Sequence, residues 1–453
     1  MECPACKEQG LVFMSNLKAL RGLVYVYLIA FAWWPFYLDY RVLANVGINP
    51  QRAILALIAV YFAFIYLVSP EERRLIAKSY KPIKPILGVA LMYGVLRGAS
   101  ASVAGPTSIG IFANELVSNL VLMFIAAAVF RSPQQIRFCV GIVLWSAAFT
   151  CLYALYEYAT NSNPLTAFAN IETNAGFTAA SEKLRQGVRR VQATFEHPLS
   201  LVQYLSVVFP LTFIFLRKYN VAMLPLMALY LVVLVLTGSR SALIAVIMGV
   251  TTAPVLLLYT RYREGRASRS SASRVYASYL FLVALSSALL VSAVAGVLVV
   301  GRSSAESSST LTRVAQFRNG LIAIGNNPLL GVGPGEGSKA IMQVFESSSR
   351  ASMIYRETTD SLFLTIAVES GPAALLLYVL LVFLVTRGLV RCMQIAPDRA
   401  TQILCVSLTA SIVSCFVSMA VLSIFTVLPL FFMVLGLGCS LQSQLQYRLS
   451  GPE

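Results

Sequence analysis

Charged residues are scarce in this sequence. Only 12% of its 453 residues are Asp, Glu, Lys or Arg, whereas 58% are hydrophobic, and the mean hydropathy is +0.75. A soluble globular chain carries about 25% charged residues, so half that share cannot cover the surface of a water-soluble protein of this length. The composition therefore excludes a cytosolic or secreted enzyme and a disordered chain, and it indicates a polytopic membrane protein.

Histidine and cysteine are also poorly placed for metal or disulfide chemistry. The chain has a single histidine, His197, which excludes a metal site built from a histidine cluster. Most of the eight cysteines lie in or next to apolar segments, where they are packing residues. A carboxylate metal site stays open, although no acids are grouped at a useful spacing. We expect no metal and no cofactor.

Long apolar runs, by contrast, recur along the whole chain. A membrane-spanning helix needs about 20 largely apolar residues. Twelve stretches meet or approach that length: 22–38, 53–68, 83–96, 111–130, 138–158, 199–216, 221–237, 241–259, 277–300, 361–386, 402–420 and 422–440. We predict an all-α polytopic fold of about 12 transmembrane helices, forming one integral membrane domain over residues 1–453.

The connections between these spans differ sharply in charge. The net charge of +16 comes from 35 Lys and Arg against 19 Asp and Glu, and 21 of the 35 lie on the side that holds both termini. Because short loops rich in Lys and Arg stay in the cytoplasm, we predict cytoplasmic termini. The two long connections, 159–198 and 301–360, then face the periplasm, the second between helices 9 and 10. The positive charge is a topology signal and gives no reason to expect nucleic acid.

Arg240 places a charge between two apolar runs, where a charged side chain costs free energy. It lies in a short polar turn, LTGSRSAL, between two apolar runs. One interpretation is that its side chain reaches the outer headgroups. The other is a fixed cation for a phosphate or diphosphate, because a guanidinium stays charged and binds phosphate with two hydrogen bonds.

The first long loop ends in GVRRVQATFEHPLSLVQYL, with Arg189 and Arg190 just before the next span and His197 at its mouth. His197 precedes a proline, a pattern typical of the cap and first turn of a helix. The alternative role for His197 is that of a base.

The second long loop contains a short predicted helix and a glycine-rich turn. Val314, Phe317, Leu321 and Ile324 form one apolar stripe, which predicts a helix on or beside the membrane, and Arg313 with its polar side could face an anionic ligand. The following GVGPGEG lacks the GK[ST] ending of a phosphate-binding loop, so we predict a turn or a closely approached backbone rather than an ATP site.

Two acids mark the start of the tenth predicted span, in TTDSLFLTIAVESGP. Asp360 lies at the mouth and Glu369 lies within the span. Asp360 suits either of two roles: a base that takes the proton of an acceptor hydroxyl, or the N-cap of the helix.

These segments together resemble the O-antigen ligase and polymerase family. The resemblance rests on LTGSRSALIAVI, on VRRVQATFEHPLSLVQYLSVVFPL, and on NNPLLGVGPGEG followed by TTDSLFLTIAVESGPAALLLYV, in the family's order over roughly residues 185–385. It implies a fold of the membrane glycosyltransferase C type. It also implies transfer of a glycan from undecaprenyl diphosphate to a hydroxyl, without a nucleotide sugar or a metal.

The resemblance also implies roles for particular residues. Arg190 or Arg189, with Arg240, match the diphosphate-binding arginines, and Arg313 or Arg318 match the arginine of the loop helix. Glu369 matches the acidic position of the tenth span. Where ligases carry a histidine, this chain has Asp360, as polymerases of exopolysaccharide and capsule do, and we predict Asp360 and Glu369 as the catalytic acids.

The predicted function is therefore polymerisation of undecaprenyl-diphosphate-linked oligosaccharides at the periplasmic face of the bacterial inner membrane. A flippase and a chain-length regulator are the expected partners, besides the lipid-linked glycan and the bilayer. Two alternatives remain: a ligase that transfers the glycan to lipid A-core or a protein, and a transporter or flippase.

Overall fold

The part of the chain that the structure describes folds almost entirely into helices. The computed structural model describes residues 4–38, 40–43, 46–168, 184–185, 188–215, 223–263, 304–347 and 361–450. Its longer helices, in chain order, are α1 (Pro4–Trp33), α2 (Pro50–Val68), α3 (Pro70–Tyr80), α4 (Lys84–Ala104), α5 (Pro106–Glu115), α6 (Leu122–Val129), α7 (Pro133–Thr160), α8 (Pro198–Leu211), α9 (Met223–Leu236), α10 (Arg240–Arg263), α11 (Ser304–Asn326), α12 (Gly337–Ser347), α13 (Leu362–Ile395), α14 (Arg399–Met419) and α15 (Leu428–Ser450).

Short segments of other structure join these helices. Among the described residues, 3-10 turns occur at Lys81–Ile83, Pro164–Phe168 and Thr212–Phe215, and a π-helical segment, Leu116–Val121, connects α5 to α6. Antiparallel hairpins in the same residues pair β1 (Tyr40–Leu43) with β2 (Val46–Ile48) and β3 (Leu184–Arg185) with β4 (Val188–Arg189).

The described part of the protein is a predominantly helical bundle of the polytopic membrane type. Within the described ranges, eight helical runs have the length and apolar character to cross a membrane: Pro50–Val68, Pro70–Ala104, Pro106–Val129, Pro133–Thr160, Pro198–Phe215, Leu362–Ile395, Arg399–Met419 and Leu428–Arg448. Two shorter apolar helices, Met223–Leu236 and Leu243–Tyr259, accompany them. The predicted ninth span, 277–300, lies outside the described residues, so the count of 12 stays a prediction.

Several predicted boundaries were wrong for identifiable reasons. The first span ends at Trp33 rather than at 38, because Pro35 cannot continue a helix. The third continues past 96 to Ala104, because the charge of Arg97 is paired inside the bundle. The last two spans, which seemed almost continuous, are separated by residues 420–427.

Helix starts follow one local rule. Asn49, Ser69 and Ser132 each precede a proline, and each side chain accepts a hydrogen bond from the backbone N–H three residues later. The cap supplies a partner to an orphan N–H, and proline needs no partner at the first helical position. These pairs explain why the helices begin where they do.

Contacts at the two ends of the bundle sort the connections into two groups. At one end Arg21 Nη2 donates to the Val129 carbonyl at 3.2 Å, and Ser443 Oγ donates to the Ser79 carbonyl at 2.6 Å. At the other end the Phe36 N–H donates to the Thr194 carbonyl at 2.9 Å. The first group joins connections that the charge count assigns to the cytoplasm, and we call it the basic end. The second joins predicted periplasmic segments, and we call it the outer end.

The centre of the bundle is packed through small residues. Helix α14 contacts α8, α10 and α13, and α15 packs against α6. Ser411 Oγ donates to the Val207 carbonyl at 2.6 Å and Ser414 Oγ to the Ala245 carbonyl at 2.9 Å. Small hydroxyl residues let helices approach closely and form hydrogen bonds across the contact. These interactions stabilise helix association in lipid, where the hydrophobic effect does not drive helices together.

Gly249 lies at one of these close approaches and gives a test of the packing. A Cβ on Gly249 would lie 2.6 Å from Ser414 Cβ and 2.9 Å from Pro210 Cγ. Gly249→Ala is therefore expected to destabilise the bundle by about 1–3 kcal/mol, measured as a lower melting temperature in detergent.

The control for Gly249→Ala is Gly88→Ala in α4, where an added Cβ meets nothing within 4 Å. Alanine is the better helix former, so Gly88→Ala should keep or raise the melting temperature. Equal melting temperatures for the two variants would contradict the packing of α10 on α14.

Candidate functional site

Helix α13 is broken near its outer end. Gly371 adopts φ 81° and ψ 162°, and Pro372 follows it. Proline has no N–H to give and its ring excludes the carbonyl four residues earlier, so the carbonyls of this turn lose their helical partners. The Val368 carbonyl instead accepts from the Val332 N–H at 3.1 Å, and the Glu369 carbonyl accepts from the Gly333 N–H at 2.8 Å.

The glycine-rich turn, residues 331–335, docks on this break. Gly331, Gly333 and Gly335 all have positive φ. A Cβ on Gly331 would lie 2.4 Å from the Val368 carbonyl oxygen, and one on Gly333 would lie 2.1 Å from Ala104 Cβ. Only glycine fits such an approach. The turn is thus the closely approached backbone that the sequence predicted, and α13 is what approaches it.

The side chain of Glu369 fastens the same turn. One oxygen, Oε1, accepts from the Gly335 N–H at 2.9 Å, and the other, Oε2, pairs with Arg97 Nη1 at 2.9 Å. Ser100 Oγ donates to the Glu369 carbonyl at 2.6 Å. Glu369 therefore joins α4, α13 and the glycine-rich turn.

Arg97 holds a second carboxylate as well. Its Nη2 lies 2.6 Å and 2.8 Å from the two oxygens of Glu115, and its Nη1 donates to Ser370 Oγ at 3.1 Å. The three charged side chains are 2%, 17% and 4% exposed for Arg97, Glu115 and Glu369. We call this group the buried charge cluster; it stands within the candidate membrane spans.

Sequence reasoning missed Arg97 and Glu115. They lie in different helical runs: Glu115 is a lone acid inside the predicted span 111–130, and Arg97 follows directly after the predicted span 83–96. The signal that could have found them is the free-energy cost of an ionisable side chain in or beside a span. Because of that cost, such a residue almost always has a partner in another span.

A second group of residues surrounds Arg190. Its Nε donates to the Thr237 carbonyl at 2.5 Å, and Gly238, with φ 64°, lies beside the same arginine side chain. Arg240 is the first residue of α10, directly after this turn. The structure therefore brings the predicted Arg190 to the turn that carries the predicted Arg240. Arg189 lies next to it in β4, and the side chains of Arg189 and Arg240 lie outside the described part.

Glu157 fixes the segment that follows Arg190. Its Oε2 accepts from the backbone N–H of Gln192 at 3.2 Å and of Ala193 at 2.7 Å. Ala193 has φ 53°, and its carbonyl accepts from Asn163 Nδ2 at 3.0 Å. Sequence reasoning missed Glu157, a lone acid at the outer end of an apolar helix.

His197 acts as the N-cap of α8. Its Nδ1 accepts from the Leu199 N–H at 3.0 Å, and Pro198 occupies the first turn. This is the first of the two interpretations of His197. The lone pair of Nδ1 is engaged by the backbone in this arrangement.

The turn between α14 and α15 links the Arg190 segment to the start of α13. Thr426 Oγ1 donates to Glu196 Oε1, and Ser423 Oγ lies 2.9 Å from Thr365 Oγ1. The N-cap of α13 is Ser361, whose Oγ accepts from the Leu364 N–H. Asp360 was a candidate for that cap; it lies outside the described residues, and the cap belongs to its neighbour.

Helix α11 packs in the opposite sense to its amphipathic pattern. Gln316 and Asn319 are buried, while Val314, Phe317 and Leu321 are exposed. Gly320 lies against Leu364 of α13.

Three residues of the predicted apolar stripe thus face outward, whereas the fourth, Ile324, packs partly against the bundle, and buried Gln316 and Asn319 lie on the polar side. Arg318 is exposed on the same side as the stripe. The side chain of Arg313 lies outside the described part.

Residues 225–379 match the family model described as O-antigen ligase. This part of the chain is similar to the O-antigen ligase family. The match runs from α9 through the turn at Arg240, the glycine-rich turn and the break in α13. The search of curated proteins found no match.

The glycine-rich turn and the break of α13 both lie within the matched residues. The glycine-rich turn and the Glu-Ser-Gly-Pro break of α13 are separated in sequence but share hydrogen bonds. The family points to a membrane enzyme of the glycosyltransferase or ligase type. Predicted roles for Arg189, Arg190, Arg240, Arg313, Arg318, His197, Asp360 and Glu369 stay predictions.

The docking of the glycine-rich turn on α13 can be tested at Gly331. Gly331→Ala places a methyl group against the Val368 carbonyl and forces alanine to a positive φ. We expect a loss of roughly 2 kcal/mol or more in the free energy of unfolding.

Gly325→Ala in α11 is the control, because nothing lies within 4 Å of its added Cβ. A melting temperature for Gly331→Ala as high as that of Gly325→Ala would show that the turn does not dock on α13 as described.

Proposed function

We propose that this protein is an inner-membrane glycosyltransferase of bacteria that polymerises oligosaccharides carried on undecaprenyl diphosphate at the periplasmic face. The observation that carries the proposal is the contact of Arg190 with the turn before Arg240. Arg190 thereby lies at the turn that precedes Arg240 in the chain, and a pair of cations at one turn suits a ligand with two phosphates.

The donor diphosphate is held by Arg190 and Arg240 in this proposal. Arg190 is pre-positioned, since its Nε bonds the Thr237 carbonyl and the next residues are fixed by Glu157. Fixed cations stabilise charge on a leaving diphosphate without reorganising during the reaction. Arg189 adds positive charge beside them, so the leaving group needs no metal.

The lipid part of the donor lies along the outward face of α11. Val314, Phe317 and Leu321 offer apolar surface there, and Arg318 offers a cation on the same face. Arg313 adds a second cation by position. A polyprenyl chain and its diphosphate need just these two chemistries side by side.

The acceptor hydroxyl is activated by Asp360. The oxygen of the acceptor hydroxyl attacks the anomeric carbon of the donor sugar, and the proton of that hydroxyl passes to the Asp360 carboxylate. The bond from the anomeric carbon to the diphosphate oxygen breaks. Undecaprenyl diphosphate leaves with the electron pair. The turn of residues 420–427 supports this assignment, because it joins the first turn of α13 to the Arg190 segment.

Glu369 serves the reaction as a positioning residue rather than as an acid in contact with substrate. Both of its oxygens are engaged, one by Gly335 and one by Arg97. His197 is likewise a structural cap. The sequence-based prediction of Glu369 as catalytic is replaced in this proposal by a role in holding the glycine-rich turn.

Ligation to lipid A-core or a protein is the second candidate, and the family description favours it. The two functions share the donor site and differ in the acceptor. A deletion strain in which single lipid-linked units accumulate indicates a polymerase, whereas accumulated long lipid-linked polymer indicates a ligase.

The test is glycan transfer by purified protein in proteoliposomes with a lipid-linked oligosaccharide as sole donor. Arg190→Ala and Arg240→Ala are each expected to lower the rate about 10²–10³-fold. Asp360→Asn should lower it about 10²–10⁴-fold with little change in donor KM.

Lys339→Ala is the control, because Lys339 forms an exposed ion pair with Glu336 at 2.9 Å away from these contacts. It should polymerise at the wild-type rate. Arginine and Asp360 variants that match this control would rule out the proposed site.

A further inference from the structure

A cavity of about 560 Å³ opens between α10 and α13. It lies near the basic end of the bundle, since Tyr259 comes close to the end of α10 and the lining residues of α13 lie in its last four turns. Its lining is Tyr259, Phe383, Thr386, Arg387, Val390, Arg391 and Gln394. The proposed transferase site uses none of these residues.

Two guanidinium groups dominate this cavity. Arg387 and Arg391 are one helical turn apart on α13, and both are exposed. Within the described part of the chain neither pairs with a carboxylate, whereas Arg137 at the same end has Asp398 at 3.6 Å. Adjacent guanidinium groups are suited to a phosphate, which each can bind through two N–H groups.

The polar lining continues into an apolar stripe along α13. Leu376, Leu380 and Phe383 are exposed and follow the helical spacing that leads to Arg387 and Arg391. An exposed apolar stripe on a spanning helix contacts the acyl chains of lipids. Along α13 towards its C-terminal end, this face therefore changes from a surface that suits acyl chains to one that suits a headgroup. That sequence of surfaces matches a phospholipid.

The depth of the two arginines fits the same ligand. By helical rise, Arg391 and Arg387 lie roughly 6 and 12 Å before the end of α13 at Ile395. Side chains at this distance from a helix end reach the headgroup layer. Tyr259 adds the amphipathic ring that is enriched at that layer.

We propose that this cavity binds the phosphate headgroup of an anionic phospholipid, with its acyl chains along Leu376, Leu380 and Phe383. Basic pockets between spanning helices hold such headgroups elsewhere. The site is independent of the transferase proposal, since it lies near the opposite end of α13 from Ser361.

The test measures phospholipid binding to delipidated full-length protein in detergent by native mass spectrometry. Phosphatidylglycerol is expected to bind more tightly than phosphatidylcholine. Arg387→Gln with Arg391→Gln should weaken phosphatidylglycerol binding roughly 30-fold. Two cations are lost, and each strengthens the binding of an anionic lipid by a similar factor. Soluble glycerol phosphate, which lacks acyl chains, should bind far more weakly than the lipid.

Matched variants separate this site from general surface charge. Arg73→Gln with Arg74→Gln removes two exposed cations at the same end, on α3, and should bind phosphatidylglycerol as the wild type does. Arg387→Lys with Arg391→Lys keeps the charge and should retain most of the affinity. The single variant Arg391→Gln provides an intermediate effect should the double variant fold poorly.

Any of three results would overturn the proposal. The first is equal phosphatidylglycerol affinity in the Gln pair at 387 and 391 and in the Gln pair at 73 and 74. The second is equal binding of phosphatidylcholine and phosphatidylglycerol to the wild type, and the third is binding of glycerol phosphate as tight as that of the lipid.

Discussion

The outer end of this protein depends on one arginine held between two carboxylates inside the bundle. Arg97 pairs with Glu115 at 2.6 Å and with Glu369 at 2.9 Å, and Glu369 in turn bonds the Gly335 N–H. Removing one charge from such a cluster leaves another charge buried without its partner. An unpaired buried charge destabilises the protein far more than the intact, paired cluster does. The cluster therefore ties α4, α5 and α13 to the glycine-rich turn.

The remaining contacts of the site build on the buried charge cluster. The Gly-Pro break in α13 exposes two carbonyls, and the glycine-rich turn supplies their partners. The first turn of α13 is then anchored through Thr365 to the turn of residues 420–427, which also contacts Glu196. A reaction site assembled from separate loops needs such cross-links, because each loop alone has too few contacts to hold a side chain in place.

Helix positions could be predicted from the sequence, whereas helix ends and charge pairs could not. Apolar runs locate spans because lipid demands them. The third span was predicted too short, since Arg97 looks like an end until its carboxylate partners are seen. Those partners lie 18 and 272 residues away, and no local pattern reports them.

The candidate site was predictable only in part, and mainly through family motifs. Arg190 and Arg240 were identified as a pair by resemblance, and the Thr237 carbonyl shows how one reaches the turn of the other. Local chemistry alone suggested the cap at His197. Glu157 was not predictable, because its ligands are backbone N–H groups that carry no sequence signature.

The most direct measurement of the central claim is the free energy of unfolding of two variants in lipid bicelles. Arg97→Met alone leaves the buried Glu369 and the partly buried Glu115 without their cation and is expected to lose about 3–5 kcal/mol. Replacing Arg97, Glu115 and Glu369 together by Met removes every charge of the cluster and should recover most of that loss. An Arg97→Met variant as stable as the wild type would contradict the account, as would a triple variant no more stable than Arg97→Met.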